Sequence, residues 1–287
     1  MGSFKSFVIA GAAVFASVPA FAADLAPYAP RPPIVAPQED FGGWYLRGDV
    51  GVGSQSFDTY QFTQTNVATG GAWPASWRID QKGIGDTAFV GVGVGYQFNS
   101  WLRADVTGEY RTAAKFKAIG SYTEFCPGGR CFDVYDGSHQ ASVFLGNVYV
   151  DLGTWWCLTP FVGAGAGFAQ NTVSGLTDVG YITGPGTSAL GLTSSDKTSW
   201  NFAWALHAGV AYNVSNNLKI ELAYRYLNLG DVDTAEVNCG GAGCNVVGGG
   251  PRAFYTLTNM TSQDFKIGVR WMFNDPPAPL PPLVRKG

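Results

Sequence analysis

Residues 262–273 read SQDFKIGVRWMF, and this stretch decides the predicted fold. Large apolar side chains occupy every second position from Phe265 to Phe273. The positions between them, from Asp264 to Met272, carry charged residues, glycine or methionine. Successive side chains of a β-strand point to opposite faces, so the pattern predicts a strand with one apolar and one largely polar face. Strands of about ten residues with this alternation build membrane-spanning β-barrels.

Seven further stretches of similar length alternate in the same way. The eight predicted strands are Gly43–Ser54, Thr87–Phe98, Leu102–Arg111, Ala141–Leu152, Pro160–Ala169, Ser199–Tyr212, Leu218–Leu229 and Ser262–Phe273. The links after the second, fourth and sixth strands are short, whereas those after the first, third, fifth and seventh run to about 30 residues. Outer-membrane barrels alternate short periplasmic turns with long external loops, and loops beyond about 15 residues are uncommon in soluble domains. We therefore predict an all-β fold, an eight-stranded antiparallel up-and-down transmembrane β-barrel with four long extracellular loops, surrounded by outer-membrane lipid.

The first residues have the layout of a signal peptide. Lys5 precedes an apolar run from Phe7 to Val18, and Ala20-Phe21-Ala22 forms a small-x-small cleavage site. No later apolar stretch approaches the roughly 18 residues of a membrane-spanning helix, which excludes a helical membrane protein. The predicted segments are a signal peptide at residues 1–22, a Pro-rich periplasmic leader at 23–42, the barrel at 43–273 and a Pro-rich tail at 274–287.

The charge composition argues against nucleic acid as a partner. Only 14% of the residues are Asp, Glu, Lys or Arg, against about 25% in ordinary soluble domains. The net charge is −3 and no polybasic run is present, so nothing in the sequence attracts a polyanion.

The inward positions of the predicted strands carry a nearly balanced set of charges. This set consists of Arg47, Asp49, Arg103, Asp105, Glu109, Arg111, Asp151, Lys219, Glu221, Arg225, Asp264, Lys266 and Arg270. Seven basic against six acidic residues favour a neutralising network of salt bridges. An eight-stranded barrel is just wide enough for side chains to fill its interior. We predict a polar plugged interior, with a water-filled, ion-selective pore as the alternative.

Four of the five cysteines fall in two predicted loops. Cys126 and Cys131 bracket one Gly-rich turn, and Cys239 and Cys244 bracket another. In an oxidising compartment this spacing predicts two local disulfides, and a four-thiolate zinc site across the two loops is the alternative. Cys157 is left over at a periplasmic turn, as a free thiol or an intermolecular link.

The two histidines, His139 and His207, give no sign of a catalytic site. His207 has inward parity, but the inward Ser199 is about 26 Å away along an extended strand, whereas a nucleophile–base pair needs about 3 Å. His139 is predicted at the end of a loop. We therefore predict no enzymatic activity, no cofactor and no metal.

Three motifs resemble a known family, the small porin-like outer-membrane β-barrel proteins of alphaproteobacteria, relatives of the OmpA transmembrane domain. They are GGWYLRGDVG at 42–51, GVGVGYQF at 91–98 and LAYRY at 222–226. The end of the last strand, with Gly268, Trp271 and Phe273, looks like the assembly signal that the barrel-insertion machinery reads. The tail after Phe273 departs from the family pattern and is too short for the peptidoglycan-binding domain that OmpA carries.

The resemblance implies a structural outer-membrane protein that supports envelope integrity and presents surface loops. In this family a mature Ala-Asp terminus can be joined to peptidoglycan, and the predicted Ala23-Asp24 terminus with its Pro-rich spacer fits that arrangement. A small diffusion porin is one alternative. A surface barrel that binds haem-like ligands or host molecules is another, although no loop shows a His/Tyr cluster.

Overall fold

The computed structural model describes residues 42–65, 76–123, 126, 129–182, 189–239 and 252–273. The predicted signal peptide, most of the leader and the tail therefore lie outside the described residues. The strands are β1 (Gly43–Ser56), β2 (Thr59–Thr65), β3 (Arg78–Ile84), β4 (Thr87–Gln97), β5 (Leu102–Tyr122), β6 (Cys131–Asp151), β7 (Leu158–Ile182), β8 (Ala189–Ser194), β9 (Lys197–Asn213), β10 (Leu218–Asp233), β11 (Val237–Cys239) and β12 (Arg252–Met272). No helix long and apolar enough to cross a membrane occurs in this part of the chain.

Eight of these strands form one closed antiparallel ring. Its order is β1, β4, β5, β6, β7, β9, β10 and β12. The ring closes where β1 pairs with β12, from Tyr45 opposite Met272 to Ser56 opposite Thr261. Closure pairs the backbone groups of every strand, as a membrane-spanning sheet requires. The ring confirms the predicted fold, because each of its eight strands overlaps one of the eight predicted strands.

The two faces of the ring have opposite polarity through the membrane-spanning part. On β12, Phe265 and Trp271 are 63% and 51% exposed on the outer face. Asp264 of the same strand points to the inner face and is fully buried. Because side chains alternate along a strand, a slip of one residue would move every charge outward, so the register is strongly specified. The apolar outer belt agrees with the predicted lipid-facing positions.

Four strands run further out than the sequence pattern predicts by about ten residues or more. β5 continues to Tyr122, β6 starts at Cys131, β7 continues to Ile182 and β12 starts at Arg252. The four predicted loops of about 30 residues are therefore wrong in part, because much of each is strand. We call this part, residues 112–122, 131–140, 171–182 and 252–261 with β2, β3, β8 and β11, the outer extension.

The outer extension inverts the polarity of the membrane-spanning part. Phe116, Tyr135 and Leu257 are buried inside it, while Lys117 and Asp136 form an exposed ion pair of 3.0 Å on its outer surface. This is the apolar-in, polar-out pattern of a sheet in water. The prediction stopped each strand where the lipid-facing alternation stopped, and so it missed the continuation.

Bulges mark the change between the two parts. On β5 an extra residue lies between Arg111 and Ala114, so inward positions change from odd to even numbers. On β7 an extra residue lies between Ser174 and Thr177, where Gly175 has a φ of 61°. Such a bulge inserts one residue into a strand and increases the local twist. On β5 and β7 the outer extension thus keeps its pairing while the inward residues change parity.

Candidate functional site

The inward charges of the membrane-spanning ring form what we call the charged lumen. Arg47 lies at its centre and contacts three acids: Asp49 at 2.9 Å, Asp105 at 2.8 Å and Glu221 at 3.5 Å. It also donates a hydrogen bond of 3.0 Å to the hydroxyl of Tyr149. Four strands of the ring, β1, β5, β6 and β10, supply this group.

Glu221 also contacts two further arginines, Arg103 and Arg270. Its carboxylate lies 3.0 Å from Nε of Arg270 and 3.5 Å from a terminal nitrogen of Arg103, as ion-pair contacts without hydrogen-bond alignment. Arg103 also pairs with Asp151 at 3.2 Å. Lys266 completes the group at 3.7 Å from Asp49.

A second group of charges lies nearer the outside. Arg111 contacts Glu109 at 2.9 Å and Asp264 at 2.8 Å. Arg225 contacts the same two acids, at 2.7 Å and 2.6 Å. The structure therefore brings twelve of the thirteen predicted inward charges into ion pairs, and Lys219 is the one that forms no ion pair within the described ranges.

Aromatic rings and glycines complete the filling of the charged lumen. The Arg103 guanidinium lies 4.1 Å from the ring centre of Tyr149 and 4.7 Å from that of Phe161. A methyl group at Gly93 would lie 3.1 Å from Cγ of Arg47, so this glycine makes room for the arginine. Breaking one such buried pair costs about 3–5 kcal/mol because a charge is left uncompensated.

Both histidines are buried and paired with amides. His207 Nε2 lies 3.2 Å from Oδ1 of Asn147, and His139 Nε2 lies 3.0 Å from Oδ1 of Asn171. The predicted place of His139 at a loop end is wrong, because β6 begins at Cys131 and His139 is an inward residue of this strand. Neither ring has a Ser or Cys hydrogen-bond partner within the ranges that the structure describes.

A group of three tyrosines and two aspartates lies inside the outer extension, and sequence reasoning missed it. We call Tyr60, Tyr135, Tyr255, Asp133 and Asp178 the tyrosine–aspartate cluster. The three ring centres lie 4.8–5.0 Å apart. Tyr255 donates a hydrogen bond of 2.6 Å to Asp178, and Tyr135 donates one of 3.3 Å to Asp133. The available signal was the alternation of Asp133, Tyr135 and Gly137, which the prediction assigned to a loop.

The two aspartates of this cluster hold their protons unusually tightly. Burial raises the pKa of Asp133 to about 6. Burial, and then the neighbouring charge of Asp133, raise the pKa of Asp178 to about 7. Desolvation disfavours the charged form of a carboxyl group, and it outweighs the tyrosine hydrogen bonds here.

The structure joins Cys126 and Cys131 in a disulfide. Neither sulfur is then available as a thiolate, which rules against the four-thiolate zinc alternative. Cys239 ends β11 and Cys244 lies outside the described residues, so the second disulfide stays a prediction. Cys157 is free and exposed.

Two other predicted sites are the assembly signal and the peptidoglycan attachment residues. In the predicted assembly signal, Trp271 and Phe273 point outward, and Gly268 lies opposite Asp49 on the inside. Ala23 and Asp24, the predicted attachment residues, lie outside the residues that the structure covers.

A closed ring of eight strands with an apolar outer belt and a charged lumen defines an outer-membrane β-barrel protein. The chain matches the outer membrane protein beta-barrel domain family over residues 8–273, and it belongs to that family. The protein is therefore located in the outer membrane of a Gram-negative bacterium, as predicted.

The relatives support the predicted alphaproteobacterial resemblance. The chain is 36% identical over 221 residues to an uncharacterized protein of Brucella abortus (strain 2308), a match covering 67% of this chain and 70% of the relative. It is 29% identical over 232 residues to a Rickettsia prowazekii protein named "Putative adhesin", covering 79% and 86%. Among solved structures it is similar to the outer membrane protein OprG from Pseudomonas aeruginosa, with 14% identity, a TM-score of 0.45 and coverage of 83% and 98%.

Proposed function

We propose that the barrel is a closed, non-enzymatic outer-membrane anchor that supports the envelope and presents its outer extension for binding to other surfaces. The ion-paired lumen is the observation that supports this proposal. Every one of its six acids, Asp49, Asp105, Glu109, Asp151, Glu221 and Asp264, contacts at least one cation. Charges that pair with one another across the ring hold the barrel in shape and leave little free charge to attract permeating ions.

Burial of the arginines argues against the diffusion-porin alternative. Arg103 and Arg111 are fully buried, and Arg47 is 5% exposed. In a water-filled pore these side chains would face solvent, and each would be hydrated rather than paired. The small diameter of an eight-stranded ring favours filling by side chains for the same reason.

The outer extension is the part of the barrel suited to binding. It places a polar outer surface, including Lys117 and Asp136, on strands that continue past the membrane. Strands hold a binding surface more rigidly than free loops do. The name of the Rickettsia relative supports adhesion as the form of binding, and host molecules are the second candidate ligands for the same surface.

The peptidoglycan tether remains a further part of this proposal. It is supported by the Ala23-Asp24 sequence and the Pro-rich segment after it. Sacculi boiled in detergent should release, on digestion, a muropeptide joined to the peptide that begins with Ala23. Sacculi free of this peptide would remove the tether and leave the rest of the proposal intact.

Two measurements test the proposal. The refolded barrel, with heat-modifiable mobility as the check on folding, should show no steady conductance in a planar bilayer. A heterologous Gram-negative host that displays the barrel should adhere to cultured cells or matrix more than the same host with an empty vector. Steady conductance of the unmodified protein would overturn the closed anchor, and adhesion equal to that of the vector control would remove the binding role.

A further inference from the structure

The tyrosine–aspartate cluster contains oxygen ligands of the kind that bind metal ions. We propose that it binds one hard divalent cation of the calcium type between Asp133 and Asp178, inside the outer extension. The tyrosine hydroxyls and water complete the oxygen ligands. This site is independent of the charged lumen and of the proposed binding role.

Strand register places the two carboxylates together. Asp133 of β6 pairs with Gly180 of β7, and Tyr135 of β6 pairs with Asp178. Asp133 and Asp178 are thus diagonal neighbours on the same inward face, about 7–8 Å apart at Cα. A cation between the two strands can be reached by both side chains.

The charge balance of this cluster differs from that of the lumen. Asp133 and Asp178 are 5% and 3% exposed, yet within the described ranges no Lys, Arg or His forms an ion pair with either. All six lumen acids, in contrast, have cationic partners. A buried carboxylate without a partner is costly in its charged form. A bound cation would supply the missing charge.

Tyr60 gives a second, independent observation. Its side chain is fully buried, and its hydroxyl has no hydrogen-bond partner in the part of the chain that the structure describes. Its ring stacks on that of Tyr255 at 4.8 Å and lies 5.0 Å from that of Tyr135. These two tyrosines donate hydrogen bonds to Asp133 and Asp178. Since a buried polar group normally has a partner, an orphaned hydroxyl in the same cluster points to a missing ligand.

The available ligands select the kind of metal. No cluster of three or more His, Cys, Asp or Glu that could hold a metal occurs among the described residues. Two carboxylates with hydroxyl oxygens and water form an all-oxygen set, which suits calcium with its six to eight oxygen ligands. Zinc prefers nitrogen and sulfur ligands, which this cluster lacks.

Terbium luminescence tests the site directly, because an excited tyrosine transfers energy only to a terbium ion a few ångströms away. The refolded full barrel, stripped with a chelator, should show terbium emission on tyrosine excitation, and calcium should displace it. The double variant Asp133→Asn, Asp178→Asn should lower the apparent terbium affinity by at least about tenfold, as expected when charged ligands are removed. Tyr60→Phe, which removes the orphaned hydroxyl without a change of charge, should weaken binding less.

Asp136→Asn is the matched control, since Asp136 lies on β6 with an exposed, outward side chain. It should bind terbium as the unmodified protein does. Absence of calcium-displaceable emission from the folded protein would overturn the proposal, and so would equal emission from the double variant. If the double variant does not refold, the single variants Asp133→Asn and Asp178→Asn provide the same comparison.

Discussion

At the scale of single residues, Glu221 is the acid on which the periplasmic half of the lumen depends. It contacts Arg47, Arg103 and Arg270. Glu221→Gln keeps the shape of the side chain and leaves three guanidinium groups with less compensating charge. We expect a loss of about 3–5 kcal/mol in the free energy of unfolding, as for other broken buried pairs, measured by urea unfolding of the barrel in lipid vesicles.

The control for this variant is Asp136→Asn, which breaks the exposed pair with Lys117. Exposed pairs contribute only about 0–1 kcal/mol. A Glu221→Gln barrel as stable as the control would show that the lumen contacts contribute little net stability.

The cysteines allow a prediction that thiol counting can check. The sequence has five cysteines, of which Cys126 and Cys131 are bonded to each other. With the predicted second disulfide between Cys239 and Cys244, only Cys157 should react with an alkylating reagent in the unfolded, non-reduced protein. Mass spectrometry should then find one label before reduction and five after it. Three labels before reduction would contradict the second disulfide.

The placement of residues on the inside could be predicted in the membrane-spanning part, because parity alone assigns a face. Parity places Arg47, Asp105 and Glu221 on the inside, and in the structure they meet in one group. Which acid meets which base depends on the curvature and register of the whole ring, so the individual pairs could not be predicted. The tyrosine–aspartate cluster was missed because no lipid-facing row marks its strands.

At the scale of elements, the bulged strands behave as two sheets of opposite polarity joined end to end. Phe116 faces the inside of the outer extension and is fully buried, and its neighbour Lys117 faces out. Phe116→Ala should destabilise the outer extension by about 3–5 kcal/mol, the usual cost of truncating a buried phenylalanine. Faster cleavage of the extension by added protease, with the membrane-spanning part intact, is the expected result.

Lys117→Ala on the same strand is the matched comparison and should leave the cleavage rate nearly unchanged. Equal sensitivity of the two variants would mean that the extension has no defined inner face.

The membrane-spanning halves of these strands were predictable because contact with lipid requires an unbroken row of apolar side chains. Their outer halves were not, since water accepts a polar outer face that resembles a loop in sequence.

The outer extension should also respond to pH. The pKa values of Asp133 and Asp178 are raised by burial from 3.8 to about 6 and about 7. A carboxyl group with a raised pKa in the folded state contributes stability that is present below its unfolded pKa and lost as the pH rises through its folded pKa. In the presence of a chelator, protease resistance of the extension should therefore fall between about pH 4 and pH 7. The Asp133→Asn, Asp178→Asn variant should lack this dependence, and a decline that persists in it would assign the effect to other groups.

At the scale of the whole molecule, the proposed function requires that one closed ring serves as anchor and scaffold and that the paired lumen keeps the barrel shut. Arg103 and Arg270 are the cations that both contact Glu221 on the periplasmic side, and Arg103 also neutralises Asp151. Replacing both arginines with alanine removes two large side chains from the cross-section and leaves two carboxylates without these partners. Water should enter, and the double variant should acquire a small conductance that the unmodified barrel is expected to lack. This conductance should favour cations, since uncompensated acids in a narrow passage attract them.

The reversal potential in a salt gradient measures this selectivity. The control is Arg78→Ala on β3, whose exposed pair with Asp80 lies outside the lumen, and it should stay silent. Heat-modifiable mobility has to show that the double variant still folds. If the folded double variant is silent too, the remaining side chains close the barrel without these ion pairs. The network then serves the register and stability of the ring, and closure follows from its narrow diameter.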